Sequence, residues 1–362
     1  MPTDDYFAPD YAQARTKFKA AAQGAGAALR AYEHPSERGP DGASLSIDVA
    51  ITGPENASRC LLLISGTHGV EGFAGSGCQV GFFRDSLHEA FGKNVRVVVV
   101  HALNPHGFAW IRRVNEDNVD LNRNFQDFTK PLPRNDAYDA LHSVLIPADW
   151  DGAGKRAADA QLQEFLRVNG FAALQSAVSS GQYTHSDGLF FGGFAETWSA
   201  STFKRILDAH VPRSAARLVA IDLHTGLGPF AYGEPISVGG SERQCELARA
   251  RFGPEAKSLT SGESASSILT GTLANAFQGC ADDRDVTFMG LEFGTKPVVE
   301  VLEALRADHW LHGPKNRQSP LRPQIADNLR DAFFVDAPHW KAAVYGRMAD
   351  FVVRASRVLA EA

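Results

Sequence analysis

The distribution of apolar residues along the chain predicts short buried strands separated by amphipathic helices. Continuous apolar runs, typical of strands buried on both faces, occupy Cys60 to Ser65, Val95 to Leu103, Leu218 to Leu223 and Val286 to Leu291. Helical periodicity fits the stretches between them: Gly75 to Phe91, Ala157 to Ser179 and Glu196 to His210. Strands that alternate with helices predict an α/β fold with a mostly parallel sheet covered on both faces.

Four further segments complete the predicted organisation. Alternating residues at Leu45 to Thr52 predict a strand at an edge of the sheet, and Pro, Asp and Gly in Pro131 to Lys155 favour an insertion or surface loop. The Ala-rich stretch Tyr11 to Tyr32 and the stretch Trp340 to Leu359 each predict a helix at one end of the chain. Because no composition shift divides the chain, we expect a single domain over residues 1–362.

Composition and charge narrow the functional classes. The 362 residues are 44% apolar and 22% charged, with a formal net charge of -6 and no basic run, which argues against nucleic acid or an anionic membrane as partner. The start of the chain lacks the apolar region of a signal peptide. The cysteines are few, widely spaced and without a CxxC pair, so we expect reduced thiols and a cytoplasmic protein; they are Cys60, Cys78, Cys245 and Cys280.

Polar residues follow each predicted buried strand at the point where the strand ends. His68 and Glu71 follow the first strand, His101 and Asn104 the second, and Asp222 to His224 and Glu292 end the later two. The carboxyl ends of parallel strands share one edge of a sheet, and ligands bind in the crevice there. We therefore expect these side chains, although distant in sequence, to surround one pocket.

Three of these residues form a candidate ligand set for zinc. Two imidazoles and one carboxylate are a known catalytic ligand set for zinc, and His68, Glu71 and His224 supply it. The glycines around His68 permit a tight loop with close backbone approach. Asp222 lies two residues before His224 on the same side of an extended strand, where it could orient the imidazole; a solvated acid at a strand end is an equal alternative.

A carboxylate and several basic residues are candidates for the rest of the chemistry. Glu292 emerges from an apolar run, which suits a general base with a raised pKa, and a buried ion pair is the alternative. Asn122 and Arg123 could clamp a substrate carboxylate. A further arginine could stabilise the oxyanion of a tetrahedral intermediate, but Arg112 and Arg113 are adjacent and the pattern does not choose between them.

Together these motifs resemble the zinc carboxypeptidase family, and a bacterial branch of it in particular. The shared order is His-x-x-Glu, an Asn-Pro-x-Gly turn, the stretch Val119 to Phe125, a His at a strand end and a Glu at a strand end. The resemblance spans Gly66 to Thr295 and extends to the related aspartoacylase and succinylglutamate desuccinylase group. It implies a three-layer α/β/α sandwich around a mixed eight-stranded sheet.

The resemblance also implies roles for individual residues. His68, Glu71 and His224 would bind one zinc ion, Glu292 would be the general base, and Arg113 would polarise the scissile carbonyl. Asn122 and Arg123 would hold the terminal carboxylate of the substrate.

One departure from the family concerns a tyrosine. The classical peptidases place a substrate-binding Tyr close before the catalytic Glu, whereas the segment between His224 and Glu292 contains only Tyr232, near the ligand. Tyr183, and His185 in the same polar loop, are our candidates to contact the substrate instead.

The sequence thus predicts a zinc-dependent hydrolase of peptide or other amide bonds, of the carboxypeptidase type. Its substrate would be a small peptide or an N-acyl amino acid with a free carboxylate. Two alternatives stay open: an N-acyl amino acid deacylase of the aspartoacylase kind, and a non-catalytic module that binds carboxylates. A serine hydrolase is disfavoured because no Gly-x-Ser-x-Gly motif is present.

Overall fold

A computed structural model describes residues 2–238, 242–259, 264, 266, 269–280 and 284–361. The described strands are β1 (Ala28–Arg38), β2 (Ser44–Thr52), β3 (Arg59–Ser65), β4 (Val95–His101), β5 (Arg217–Phe230), β6 (Gly233–Ser237), β7 (Lys257–Ser258) and β8 (Asp285–Gly294). The described α-helices are α1 (Tyr11–Gly24), α2 (Gly72–Arg84), α3 (Pro105–Ala109), α4 (Asp136–Leu145), α5 (Ala153–Ser179), α6 (Trp198–His210), α7 (Glu242–Phe252), α8 (Val298–His312), α9 (Arg322–Phe333) and α10 (Pro338–Ala360).

The strands form one mixed eight-stranded sheet in the order β1-β2-β4-β3-β5-β8-β6-β7. Four neighbouring strands, β4, β3, β5 and β8, run parallel, while β2 and β6 flank them in antiparallel pairing. These four parallel strands coincide with the four apolar runs of the sequence. Their carboxyl ends therefore meet at one edge, as the sequence predicted.

The alternation of side chains along the strands divides the core between the two faces of the sheet. Leu61 and Leu63 of β3 pack on one face in a cluster that includes residues of α2 and α10. Leu62 and Ile64 pack on the other face in a cluster that includes Phe203 of α6. Helices thus cover both faces, which confirms the predicted α/β/α sandwich.

Two local predictions were wrong, and a third differs from the structure in part. The predicted helix from Tyr11 to Tyr32 ends at Gly24, because Gly26 takes a φ of 73° and the chain then pairs with β2 as strand β1. Because β1 is the edge strand of the sheet, β2 is an inner strand and not the predicted edge strand. The predicted surface loop from Pro131 to Lys155 contains α4, whose first turn is capped by the side chain of Asn135.

Two further observations bear on the earlier expectations. Cys60, Cys78 and Cys245 are free and buried, as expected for reduced thiols. No helix in the described part of the chain is both long enough and apolar enough to cross a bilayer. The expected single domain stays a prediction.

Candidate metal centre

The first strand–helix connection brings His68 and Glu71 into the sheet edge. The chain leaves β3 through Gly66, whose φ of 67° turns the backbone sharply. A Cβ atom on Gly69 would lie 2.1 Å from the backbone carbon of Gly107, so only glycine allows the loop to approach α3 this closely. His68 then precedes a short 3-10 turn that carries Glu71, and α2 begins directly afterwards.

The third candidate ligand comes from the neighbouring strand. His224 lies in β5 and is paired in register with Glu292 of β8, so these two side chains belong to adjacent strands at the same height. His68, Glu71 and His224 are all buried, and each offers a ligand atom within 4.8 Å of the others. The structure therefore brings together the three residues that the sequence proposed as ligands.

The orientation of the two imidazoles fits a cation between them. Nδ1 of His68 lies 2.9 Å from Glu71 Oε1, and Nδ1 of His224 lies 3.0 Å from Glu71 Oε2. The ring planes are inclined by 53°, so their in-plane lone pairs can converge on one point. Two imidazole nitrogens and a carboxylate are donors that suit zinc.

Two buried aspartates hold the opposite nitrogen of each ring. Oδ2 of Asp222 lies 2.7 Å from Nε2 of His224, and Nε2 of His68 lies 3.1 Å from Oδ1 of Asp120 and 2.8 Å from Nη2 of Arg113. The Asp222 carboxylate favours a proton on Nε2 of His224, and in both rings Nδ1 faces the Glu71 carboxylate. A positive charge between the two Nδ1 atoms and the carboxylate, from a ring proton or a bound cation, stabilises this arrangement, which is compatible with a metal site.

The pKa shifts have the same origin. Burial alone would lower the pKa of His224, but the charges and hydrogen bonds of Asp222 and Glu71 raise this pKa well above its ordinary value. Burial would raise the pKa of Glu71, yet the two imidazoles hold that pKa well below its ordinary value. The group thus combines a carboxylate that stays ionised with a strong demand for positive charge.

Of the two residues that support the rings, the sequence suggested only one. Asp222 is fully buried, which excludes the solvated acid left open above, and its Oδ1 accepts a hydrogen bond from Thr67. Asp120 was missed, although it stands within the stretch Val119 to Phe125 that carried most of the resemblance. The sequence signal that could have identified Asp120 was its position two residues before the Asn122-Arg123 pair.

The structure separates the adjacent arginines Arg112 and Arg113. Arg112 is buried in an ion pair with Asp308 of α8, 3.0 Å between Nη2 and Oδ2. Arg113 turns to the other side and donates from Nη1 to Glu71 Oε1 at 2.7 Å. Its Nη2 also lies 3.3 Å from Asp120 Oδ2. Of these two arginines only Arg113 therefore contacts the candidate metal ligands and lines the cavity in front of them.

Glu292 lies in the same cavity in a strongly perturbed environment. Burial and the nearby charge of Glu71 raise the pKa of Glu292 to about 7. Its Oε1 accepts a hydrogen bond from the backbone N–H of Leu227 at 3.0 Å, which leaves Oε2 for other partners. No basic side chain forms a salt bridge with Glu292 among the described residues, so the alternative of a buried ion pair finds no partner there.

Arg123 is a buried cation whose hydrogen bonds go to neutral groups. Its Nη1 donates to the carbonyl of Asn122 at 2.8 Å and its Nη2 to the carbonyl of Ser179 at 2.6 Å. Nε has no partner, and within the described residues no carboxylate stands at salt-bridge distance. The charge of the nearby Asp120 reaches Arg123 without a direct ion pair. A buried guanidinium with no carboxylate in contact favours an anionic ligand in the cavity that Asn122 and Arg123 line.

Tyr183 and His185 are not brought to this cavity. Tyr183 is buried behind Arg123, where its hydroxyl donates to the Arg123 carbonyl at 2.6 Å. His185 stacks on His142 and bonds Asp139 through Nε2 at 3.0 Å. Both lie in the loop that supports Arg123, so proximity in sequence to the site did not make them part of its lining.

The fold was compared with solved structures. The similar structures include carboxypeptidase A from Helicoverpa armigera, with 12% identity over 89% of this chain and 73% of that chain and a TM-score of 0.42. Bovine thrombin-activatable fibrinolysis inhibitor has 10% identity over 94% and 97%, with a TM-score of 0.42. An aspartoacylase family protein from Mesorhizobium loti has 13% identity over 79% and 66%, with a TM-score of 0.37.

These structures come from the two groups that the sequence resemblance named, the metallocarboxypeptidases and the aspartoacylase-like proteins. No curated protein matches the sequence. A sequence family described as "Protein of unknown function (DUF2817)" matches residues 7–347. Because this match spans nearly the whole chain, the protein belongs to the DUF2817 family.

Proposed function

We propose that this protein is a zinc-dependent hydrolase of amide bonds, of the carboxypeptidase type, acting on small substrates with a free carboxylate. The observation that carries the proposal is the pair of Nδ1 atoms that converge on the Glu71 carboxylate, with a buried aspartate beside each Nε2 atom. A zinc ion held by His68, Glu71 and His224 would supply Lewis-acid chemistry, which polarises a carbonyl and acidifies water.

Other residues of the cavity bind the substrate, polarise its carbonyl group and transfer the proton. Arg123 and Asn122 bind the substrate carboxylate and thereby orient the amide. Arg113 donates hydrogen bonds to the carbonyl oxygen as negative charge develops on it. Glu292 Oε2 takes a proton from the attacking water and passes it to the nitrogen of the leaving amine.

A conservative substitution tests the role of Glu292. In the Glu292→Gln variant we expect unchanged zinc content and a kcat lower by about 10²–10⁴-fold, because the amide cannot accept the proton. Glu300→Gln, an exposed position on α8, is the matched control and should keep parental activity. Full activity of Glu292→Gln on peptides and N-acyl amino acids would rule out the proposed base.

A second candidate is an N-acyl amino acid deacylase of the aspartoacylase kind. It is favoured by the position of Tyr232, which is 39% exposed and lies against Arg347 rather than in the cavity. The tyrosine that the classical peptidases use is therefore not replaced by Tyr232. Parallel assays of dipeptides and N-acyl amino acids separate the two candidates.

The cytoplasmic location expected from the cysteines stays a prediction.

A further inference from the structure

The cavity in front of the metal centre continues into a space that the proposed chemistry does not use. Its volume of about 450 Å³ is within the range of pockets that enclose whole small molecules. One part contains the polar groups described above. The other part, here called the α5–α8 chamber, is lined by Leu162, Leu166, Leu174 and Val178 of α5 and by Val298 and Leu302 of α8.

Because α5 is interrupted at Gly170, apolar residues from both of its halves face the chamber. In an uninterrupted helix Leu174 and Val178 would point about 120–160° away from Leu162, given 3.6 residues per turn. Gly170 interrupts the helix with φ 80° and ψ 167°, a conformation that is essentially restricted to glycine. Because the break changes the helical phase, apolar residues from both halves line the same cavity.

The charged residues of the chamber are already paired with each other. Lys155 lies 2.5 Å from Asp159 and 2.7 Å from Glu303, and Arg306 lies 2.9 Å from Asp159 and 2.7 Å from Glu303. This network joins α5 to α8 at the opposite end of α5 from Ser179, whose carbonyl meets Arg123. These four charged side chains therefore neutralise one another, and the chamber does not require a charged ligand.

The rim of the chamber is apolar as well. Phe171 is 43% exposed and Val299 is 56% exposed, and both line the cavity. Exposed large apolar side chains in the lining of a pocket favour a ligand with an apolar part that covers them.

From these observations we propose that the α5–α8 chamber binds the acyl group of an N-acyl amino acid, and that this group is a linear hydrocarbon chain much longer than acetyl. This inference rests on the function proposed above. Arg123, Glu292 and the α8 residue Leu302 line one continuous cavity, so an acyl group attached to an amide at the candidate metal centre can extend into the chamber. A peptide in the chamber would bury N–H and C=O groups that need partners, whereas a hydrocarbon needs none.

The reaction is then a simple hydrolysis. Water breaks the amide C–N bond, its oxygen joins the acyl carbon, and its protons are shared between the released amine and the fatty acid. The products are a free amino acid and a linear carboxylic acid, and no oxidant or reductant is required.

A chain-length series on the zinc-loaded protein tests the proposal. For N-acetyl, N-hexanoyl and N-decanoyl phenylalanine we expect kcat/KM to rise about fourfold per methylene, which corresponds to about 0.8 kcal/mol for each buried CH₂. Dipeptides with the same carboxyl-terminal residue should be poorer substrates than the decanoyl compound. Hydrolysis that is independent of chain length, or fastest for acetyl or dipeptides, would overturn the chamber proposal and leave the amide hydrolase intact.

A binding measurement separates failure of the chamber from failure of the proposed function. Decanoate should bind the Glu292→Gln protein at least tenfold more tightly than hexanoate in calorimetric titration. If no amide is hydrolysed but decanoate binds in this way, the hydrolase assignment fails while the chamber stands. Equal binding of both acids contradicts the chamber.

Substitutions on both walls locate the chain. Leu166→Trp and Leu302→Trp fill the chamber from α5 and from α8, and each should lower the ratio of decanoyl to acetyl kcat/KM at least tenfold. Val168→Trp is the matched control, since Val168 is 62% exposed on the same helix and does not line the cavity. Circular dichroism and thermal unfolding confirm that each variant is folded. If neither wall variant changes the ratio, the acyl group binds elsewhere and the proposal is wrong.

Discussion

In the described part of this protein, two groups of potential metal ligands have similar distances between their ligand atoms but differ in burial and in the orientation of their imidazole rings. His68, Glu71 and His224 form one, and His142, His185 and Asp187 form the other; in both, three ligand atoms lie within 4.8 Å of one another. The first group is buried at the sheet edge. The second lies at the surface, where the Asp187 side chain is 66% exposed.

The geometry of the imidazoles separates the two groups. The rings of His68 and His224 are inclined by 53° and converge on Glu71, whereas those of His142 and His185 are stacked 3.9 Å apart and inclined by only 12°. Ring nitrogens bind a metal through lone pairs in the ring plane, and the lone pairs of two stacked rings stay in separate, nearly parallel planes that do not meet. The directions of the imidazoles, and not their proximity alone, therefore distinguish the better candidate for a metal site.

The largest expected effect is on metal content. On the proposed function, His224→Ala should no longer bind zinc or hydrolyse substrate, because one of the three proposed ligands is gone. His142→Ala should retain the zinc of the parent protein. Elemental analysis of the purified variants measures this, and zinc loss on substitution of His142 would reverse the comparison.

A histidine outside both groups gives a contrast that depends on pH. His101 ends β4 at the same sheet edge, but its Nε2 faces Ser76 Oγ at 2.9 Å and burial lowers its pKa from 6.5 to about 4. The unfolded chain takes up this proton near pH 6.5 and the folded chain only near pH 4. Stability therefore falls as the pH drops through this window, by about 3 kcal/mol.

The His101→Gln variant isolates this contribution. It keeps a hydrogen-bonding partner for Ser76 and does not titrate, so its denaturant-derived stability should fall less steeply between pH 6.5 and pH 4. An identical pH dependence in parent and variant would show that His101 is not the group responsible.

A smaller effect is expected from the residue that supports a ligand. Asp222→Asn should weaken zinc binding by about 10–100-fold, since the amide holds His224 less firmly and lowers its basicity. Asp139→Asn, which removes the acid beside His185, is the matched control. Competition with a chromophoric chelator reports both affinities, and equal affinities would mean that Asp222 has no influence on the site.

The smallest effect is predicted in the surface group. Asp187 lies 3.3 Å from His142, yet exposed ion pairs contribute little because water screens them. Asp187→Asn should change the free energy of unfolding by less than about 1 kcal/mol. A larger loss in urea titrations would indicate that the stacked histidines depend on this acid.

Much of the fold was readable from the chain, because its strongest signals are local. The apolar runs that became β3, β4, β5 and β8 have the length and β-branched content of buried strands. The predictions failed where a local signal competed with pairing at a distance. Residues 28–32 continue an Ala-rich stretch that favours a helix, yet they form the first part of β1 because they pair with β2 through backbone hydrogen bonds.

The candidate site followed the same division. The spacing of His68 and Glu71 and the position of His224 at a strand end predicted the donor set. The choice of Arg113 over Arg112 depends on Asp308, almost two hundred residues away, which holds Arg112 in an ion pair. Tyr183 lies outside the lining of the cavity because its hydroxyl bonds the Arg123 carbonyl, a contact that nothing in its sequence neighbourhood indicated.

The amino-acid sequence by itself determined which strands are buried, which donors stand at their ends and which turns carry them, since each depends on neighbours a few residues apart. Only the tertiary structure decided that Asp120 and Asp222 hold the imidazoles and that a break at Gly170 turns both halves of α5 toward one chamber. Those features arise from the directions of side chains on elements packed together from distant parts of the chain. Spacing along a sequence does not specify such directions.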